Sequence, residues 1–169
     1  MINKLYLKNK TVYQLLWILL TILIVFFDQI TKKLVVLNMD LKEEITIIDG
    51  FFKLWYVTND GAGLGLFSNA RWVFITFTTI VIIAVIILLI KNFFDHDLAF
   101  CSLVFILSGG IGNMIDRLFL GEVVDFFQFQ IKFFDFIFNV ADVFVTFGTI
   151  MFIIYYLFIY DKKDKDKCK

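Results

Sequence analysis

Histidine occurs once in this chain of 169 residues, cysteine twice and proline not at all. A lone His96 makes a histidine-based metal centre or a Ser-His-Asp triad very hard to build. Its place in the short polar turn 91–97 reads as solvated. Cys101 sits inside an apolar run and Cys168 next to the end, which is neither a disulfide framework nor a zinc spacing. Cys101 therefore reads as a core residue. There is no basic stripe with interleaved aromatics, so nucleic acid is not an expected partner. The glycines of Gly109-Gly110-Ile111-Gly112 are followed by no Lys-Ser/Thr, which excludes a P-loop. They suit close approach of helices or substrate instead. No internal repeat or linker divides the chain.

What is abundant is apolar. Hydrophobic residues make up 60%, Phe alone occurs 23 times, and the mean hydropathy is +0.85. Soluble domains are about 45–50% apolar, so this composition implies a membrane protein, and the length suits one compact domain. Four runs are long and apolar enough to span, at about 12–30, 72–90, 98–115 and 141–160. The first has a basic start and an apolar core, as a signal peptide does. No small-x-small cleavage site follows it, so it reads as a retained helix reaching about Ile30. The cleanest run is Trp72–Ile90. At ~1.5 Å per residue, about 19 residues cover most of a ~30 Å hydrocarbon core.

Basic and acidic residues balance at 16 each, but they are unevenly placed. The tail 161–169 carries five lysines and the head carries Lys4, Lys8 and Lys10. The positive-inside rule then predicts both termini in the cytoplasm and the segments 31–71 and 116–140 outside. Within 31–71, Ile45–Ile48 and Phe51–Thr58 are rich in β-formers and flank Asp49-Gly50. That pattern predicts a hairpin and a small extracytoplasmic sheet.

Polar residues gather near the predicted outer helix ends. Acids beside a membrane are costly and are seldom placed there without a role. Asn139-x-x-Asp142 reads as an N-cap with a favourable acid in the first turn, which capping alone would explain. Asp125 lies in VVDFFQFQIKFF, which reads as a strand or a re-entrant segment against the membrane, and its apolar neighbours would raise its pKa, as would a second carboxylate nearby. Two such acids can share one proton and work as general acid and base. Asp28 and Lys32 are spaced for an i,i+4 pair, and Asp116-Arg117 reads as a local pair ending the third helix. Arg117 could also meet a substrate carbonyl or a lipid phosphate. Asn59, Asn113 and Asn139 can each donate and accept. Two rival readings are a small transporter or channel using the clustered acids, and a non-catalytic scaffold in which the acids are caps. The acids cluster on one side rather than stepping across the bilayer, which argues against the transporter.

Five motifs occur in order: Asp28-x-x-Thr31-Lys32, Asn59-x-Gly61-Ala62, Gly109-Gly110-x-Gly112-Asn113-x-x-Asp116-Arg117, Gly121-x-Val123-x-Asp125-Phe126 and Phe138-Asn139-x-Ala141-Asp142. Together they resemble lipoprotein signal peptidase (signal peptidase II) over about residues 13–160. The resemblance implies an α-helical polytopic fold of four transmembrane helices, with a small extracytoplasmic β-cradle and a loop. It implies one membrane-embedded peptidase domain in the bacterial cytoplasmic membrane, with the active site at the extracytoplasmic face. The activity implied is aspartyl cleavage of diacylglyceryl-modified prolipoproteins, N-terminal to the lipidated cysteine, with no metal or cofactor and with inhibition by globomycin. The catalytic pair falls on Asp125 and Asp142. Substrate-contacting or supporting positions fall on Asp28, Lys32, Asn59, Gly61, Asn113, Asp116, Arg117, Asn139 and Ala141. The family is taken to act as a monomer in contact with membrane lipid. The second motif departs from the family pattern at Gly63 and Leu64, where alanine and an aromatic are usual. Glu122 and the Phe-rich loop 126–138 read as local variation, with Asp135 a loop acid.

Overall fold

A computed structural model describes residues 10–61, 71–94, 96–130 and 136–160. Gly63, Leu64, Asp135, Cys168 and the tail 161–169 lie outside the described residues. The elements run α1 (Lys10–Asn38), β1 (Glu44–Ile48), β2 (Phe52–Asn59), α2 (Arg71–Lys91), α3 (Asp97–Phe119), β3 (Val123–Phe129), β4 (Ile137–Phe138) and α4 (Val140–Tyr155). A π-helical turn, Tyr156–Tyr160, ends α4. All four helices are long and apolar enough to cross a membrane.

Small residues make α3 the central helix. It packs against α1, α2 and α4, and more than half of its apolar window is buried, against less than a fifth in each of the others. A Cβ on Gly109 would collide with the Ala141 carbonyl oxygen and would lie 2.6 Å from Val145 Cγ2. A Cβ on Gly148 would lie 2.8 Å from the Ser102 carbonyl oxygen. Side chains at these points would hold α3 and α4 apart, so glycine is what permits their contact. The outward faces carry exposed Leu, Ile and Phe along α1, α2 and α4, as lipid-facing surfaces do.

The four strands form one antiparallel sheet in the order β1-β2-β3-β4. The hairpin expected at Asp49-Gly50 is present, and Gly50 takes φ +67°, a conformation that favours glycine. In β2 the pairing with β3 shifts between Leu54 and Val57, which places Asp125 opposite Val57 and Val123 opposite Asn59.

Three boundaries differ from the sequence expectation. First, α1 does not stop near Ile30 but continues to Asn38. Asp28, Lys32, Val35 and Met39 recur at helical spacing, and Val35 and Met39 pack under the sheet with Val124, Phe126 and Val140. The sheet covers this face, so burial sustains the helix past the apolar run. Second, α3 runs to Phe119 rather than Ile115, because the same helical face carries Gly112, Asn113 and Asp116 inward. Third, the Phe-rich loop is shorter than 126–138, because the strand read around Asp125 runs to Phe129 and a second strand forms at Ile137–Phe138. Phe127 pairs with Phe138 and Gln128 with Ile137, so β3 and β4 take its two ends.

At the end of the molecule away from the sheet, two single residues also read differently. His96 is half-buried, not solvated: its Nδ1 accepts the Leu98 N–H at 3.1 Å as the N-cap of α3, and its ring lies 5.4 Å from that of Tyr155. Cys101 is a free thiol that is only half-buried, so it is not a core residue.

Candidate active site

The sheet and the start of α4 bring Asp125 and Asp142 to one place. Asp125 is carried by β3 and is 2% exposed. Asp142 is the third residue of α4, whose N-cap is Asn139. A capping box closes that turn: Asn139 Oδ1 accepts the Asp142 N–H at 3.0 Å, and Asp142 Oδ2 accepts the Asn139 N–H at 3.2 Å. The cap thus fixes Asp142 by two bonds before any tertiary contact is counted.

Amide side chains join the two acids. Asn139 is fully buried, and its Nδ2 donates to Asp125 Oδ1 at 2.6 Å. The other oxygen of Asp125 accepts from Asn59 Nδ2 at 3.0 Å. Asn113 Nδ2 donates to Asp142 Oδ1 at 2.7 Å, and Asn113 Oδ1 accepts from Asn139 Nδ2 at 3.0 Å. All three asparagines singled out in the sequence therefore grip the aspartates. Burial pushes the Asp125 carboxyl up to about 7, and the nearby charge of Asp142 adds to this. The bonds from Asn59 and Asn139 and the positive charge of Lys32 oppose it. The dominant cause is desolvation, as expected for a carboxylate held among apolar residues. A carboxyl near 7 can hold or yield a proton at neutral pH, which is what general acid–base work needs.

The remaining predicted residues form a shell around this pair. Asp28 and Lys32 make the expected i,i+4 ion pair at 2.9 Å. The expected Asp116–Arg117 pair is corrected: Asp116 turns inward to Lys32 at 2.9 Å. On a helix, adjacent residues point in different directions, so neighbours in sequence rarely pair well. Arg117 instead lies over the Phe74 ring at 5.2 Å, with Nη2 3.5 Å from the Gly61 carbonyl oxygen. Its half-buried guanidinium remains within electrostatic reach of Asp142, Asp125 and Asp116. Gly61 donates its N–H to Asn59 Oδ1 at 3.1 Å, closing a tight turn behind the amide that holds Asp125. Ala141 is fully buried and donates its N–H to Asp28 Oδ1 at 2.8 Å. A Cβ on Gly112 would lie 2.6 Å from Asp28 Oδ2 and 3.2 Å from the Ala141 Cβ.

Two features were missed from the sequence. Gln29 donates its amide to Asp116 Oδ1 at 2.9 Å and to the Gly112 carbonyl at 3.2 Å. A polar residue beside Asp28 near the end of an apolar run was the available signal. The second is a groove of about 610 Å³ between the sheet and α4, lined by Phe52, Phe127, Phe129, Phe136, Phe138, Asp142, Val143, Thr146 and Phe147. Among the described residues Asp142 is the one acid in that lining, and buried Asp125 is not part of it. From the sequence the Phe-rich stretch 126–138 reads as local variation. Strand alternation puts Phe127 and Phe129 on one face, where they meet Phe138.

Comparison with known proteins agrees in extent with these elements. The family profile described as signal peptidase (SPase) II matches residues 20–158. A lipoprotein signal peptidase of Clostridioides difficile (strain 630) is 39% identical over 153 residues, 88% of this chain and 99% of that protein. One from Brevibacillus brevis (strain 47 / JCM 6285 / NBRC 100599) is 42% identical over 130 residues, 77% of this chain and 87% of that protein. A solved structure described as a bacterial membrane enzyme superposes with a TM-score of 0.79 at 34% identity, covering 90% of this chain and 91% of the other.

Proposed function

This chain belongs to the signal peptidase II family, and from that premise we propose that it is a membrane-embedded aspartyl endopeptidase. It removes the signal peptide from diacylglyceryl-modified prolipoproteins by cutting N-terminal to the lipidated cysteine. The observation that carries this reading is the junction of Asp125 and Asp142 through one buried amide, Asn139, which bonds to both.

The two carboxyls share a proton. One, ionised, takes a proton from a water as that water attacks the scissile carbonyl. The other, protonated, donates to the carbonyl oxygen. The proton belongs to the pair. When the tetrahedral intermediate collapses, the protonated carboxyl gives its proton to the leaving amine as the C–N bond breaks, and a hydroxyl of the intermediate returns a proton to the other carboxylate, so the pair is again singly protonated. No covalent enzyme intermediate is required. Asn59, Asn113 and Asn139 hold the carboxyls at fixed angles, which lowers the reorganisation needed on reaction. The aromatic groove receives the apolar part of the substrate, and Asp142 stands at its wall. Lysine placement supports a cytoplasmic location for both termini and an extracytoplasmic site.

The test uses the purified protein in lipid with a diacylglyceryl-modified prolipoprotein. Asp125→Asn and Asp142→Asn are each expected to lower cleavage by about 1,000-fold or more. Cleavage at the wild-type rate by either variant would remove the dyad from the mechanism. Chelator is expected to leave the rate unchanged, and globomycin to block it.

A further inference from the structure

Two acids outside the dyad each hold the backbone one residue ahead of it. Asp28 Oδ1 accepts the N–H of Ala141, which precedes Asp142, at 2.8 Å. Asp116 Oδ2 accepts the N–H of Val124, which precedes Asp125, at 3.3 Å. Lys32 Nζ lies 2.9 Å from Asp28 Oδ2 and 2.9 Å from Asp116 Oδ2. It also donates to Asn113 Oδ1 at 3.0 Å, and the amide of Asn113 reaches Asp142. We propose that Lys32 is a positioning residue, which sets the separation of Asp125 and Asp142 by drawing Asp28 and Asp116 onto one ammonium group. This rests on the reading of Asp125 and Asp142 as the catalytic pair.

Hydrogen-bond capacity decides between this role and direct substrate contact. An ammonium has three N–H groups, and Lys32 has three acceptors: Asp28, Asp116 and Asn113. It is 3% exposed, so it has neither a spare donor nor a path to substrate. The acids it joins come from different helices, Asp28 from α1 and Asp116 from α3, and they act on α4 and β3. Two helices therefore meet at one nitrogen, and through their acids it is linked to α4 and β3. A buried ionic cluster of this kind adds little to stability alone, because desolvation offsets most of the attraction. A fixed geometry is what it can supply.

Substitution of Lys32 by Met separates the readings. Expected is a fall in kcat of about 100-fold with KM within about twofold, the effect of shifting reacting groups by about 1 Å. An unchanged kcat, or a raised KM with kcat intact, would overturn the proposal. Lys32→Met leaves two buried acids without a cation. The double variant Lys32→Met/Asp28→Asn keeps the cluster at one formal negative charge, as in the wild type, and the introduced amide retains an oxygen for the Ala141 N–H. It is expected to fold and still to lose about 100-fold in kcat; a folded double variant with wild-type kcat would equally overturn the proposal.

A pH profile gives a readout that a packing role would not move. The charged groups around Lys32 are Asp28 on its own helix, Asp116 on α3, Asp125 on β3 and Asp142 on α4. The Lys32 charge favours the ionised form of Asp125. Without it the alkaline limb of the kcat profile is expected to move to higher pH, and an unmoved limb counts against the role. Asp125→Asn is the control. If it cleaves like the wild type, the dyad reading itself has failed. If it is inactive while Lys32→Met keeps the wild-type kcat and limb, the dyad stands and the positioning role falls.

Discussion

The two ends of the α3–α4 pair are built from different materials. At the sheet end, buried Asp28, Lys32, Asn113, Asp116, Asp125 and Asn139 bond to one another and to backbone N–H groups. At the opposite end, Val85, Leu89, Leu103, Val104 and Leu107 form an apolar cluster, flanked by Phe94, Phe152 and Tyr155 rings in edge contact. Apolar packing tolerates exchange of similar side chains. A buried polar network does not, because removing one member leaves another unsatisfied. One helix pair thus carries an anchor that can vary and a site that cannot, and the difference lies in which groups demand a specific partner.

Adjacent glycines give the sharpest way to break that contrast. Gly109 touches the start of α4, where a Cβ meets the Ala141 carbonyl oxygen and Val145. Gly110 faces α2, and its nearest neighbour, Ile82 Cγ1, is at 3.6 Å, an ordinary contact. Gly109→Ala is expected to force α3 and α4 apart, to cost about 2–3 kcal/mol by overpacking and to cost activity as Ala141 and Asp142 shift. Gly110→Ala is expected to be neutral or to gain up to about 0.5–1 kcal/mol from helix propensity. Thermal unfolding in one detergent, with cleavage assays on both variants, checks this. Equal Tm values would show that the close approach at Gly109 is not required.

This contrast also explains what could be read in advance. The four spans and the hairpin were legible because apolar run length and Asp49-Gly50 are local signals. The Asn139–Asp142 cap was legible for the same reason. The partner of Asp116 was not: Arg117 is next in sequence, whereas Lys32 is 84 positions away, and only the α1–α3 packing brings it close. The last turns of α1 were missed because Lys32, Lys33 and Asn38 look like the end of a membrane run, while the sheet that buries Val35 and Met39 is formed by distant strands. The choice of Asp125 and Asp142 over Asp28, Asp116 and Asp135 came from the ordered motifs. Composition and periodicity treat these acids alike.

A smaller effect tests whether the site is held against its own stability. The Asp125 carboxyl is raised from its ordinary 3.8 to about 7. A raised carboxyl favours the folded state when protonated, so its contribution is intact below about pH 4 and is lost as pH rises through about 7. Asn at this position does not ionise, but it can accept only one of the two amide donors that Asp125 accepts. Asp125→Asn is therefore expected to be more stable than the wild type by about 1–2 kcal/mol near pH 9, and equal or less stable near pH 5. Tm measured across that range checks the crossing. A constant difference would mean that burial of Asp125 carries no ionisation penalty.

The smallest expected effect lies at the far end, and it asks whether that end is only an anchor. His96 caps α3 by accepting the Leu98 N–H and packs on Tyr155. Loss of an N-cap acceptor costs about 0.5–2 kcal/mol. His96→Ala is expected at the lower part of that range, since a backbone N–H at a helix start can also find water. His96→Asn, with an oxygen able to accept the same N–H, is expected to recover most of it. Cleavage by both variants is expected at the wild-type rate, because Ser102 and Ser108, which lie on α3 between His96 and the two aspartates, donate back into their own helix, to the Ala99 and Val104 carbonyls. A changed kcat in His96→Ala with an unchanged Tm would show that the far end tunes the site, and the division between anchor and site would have to be redrawn.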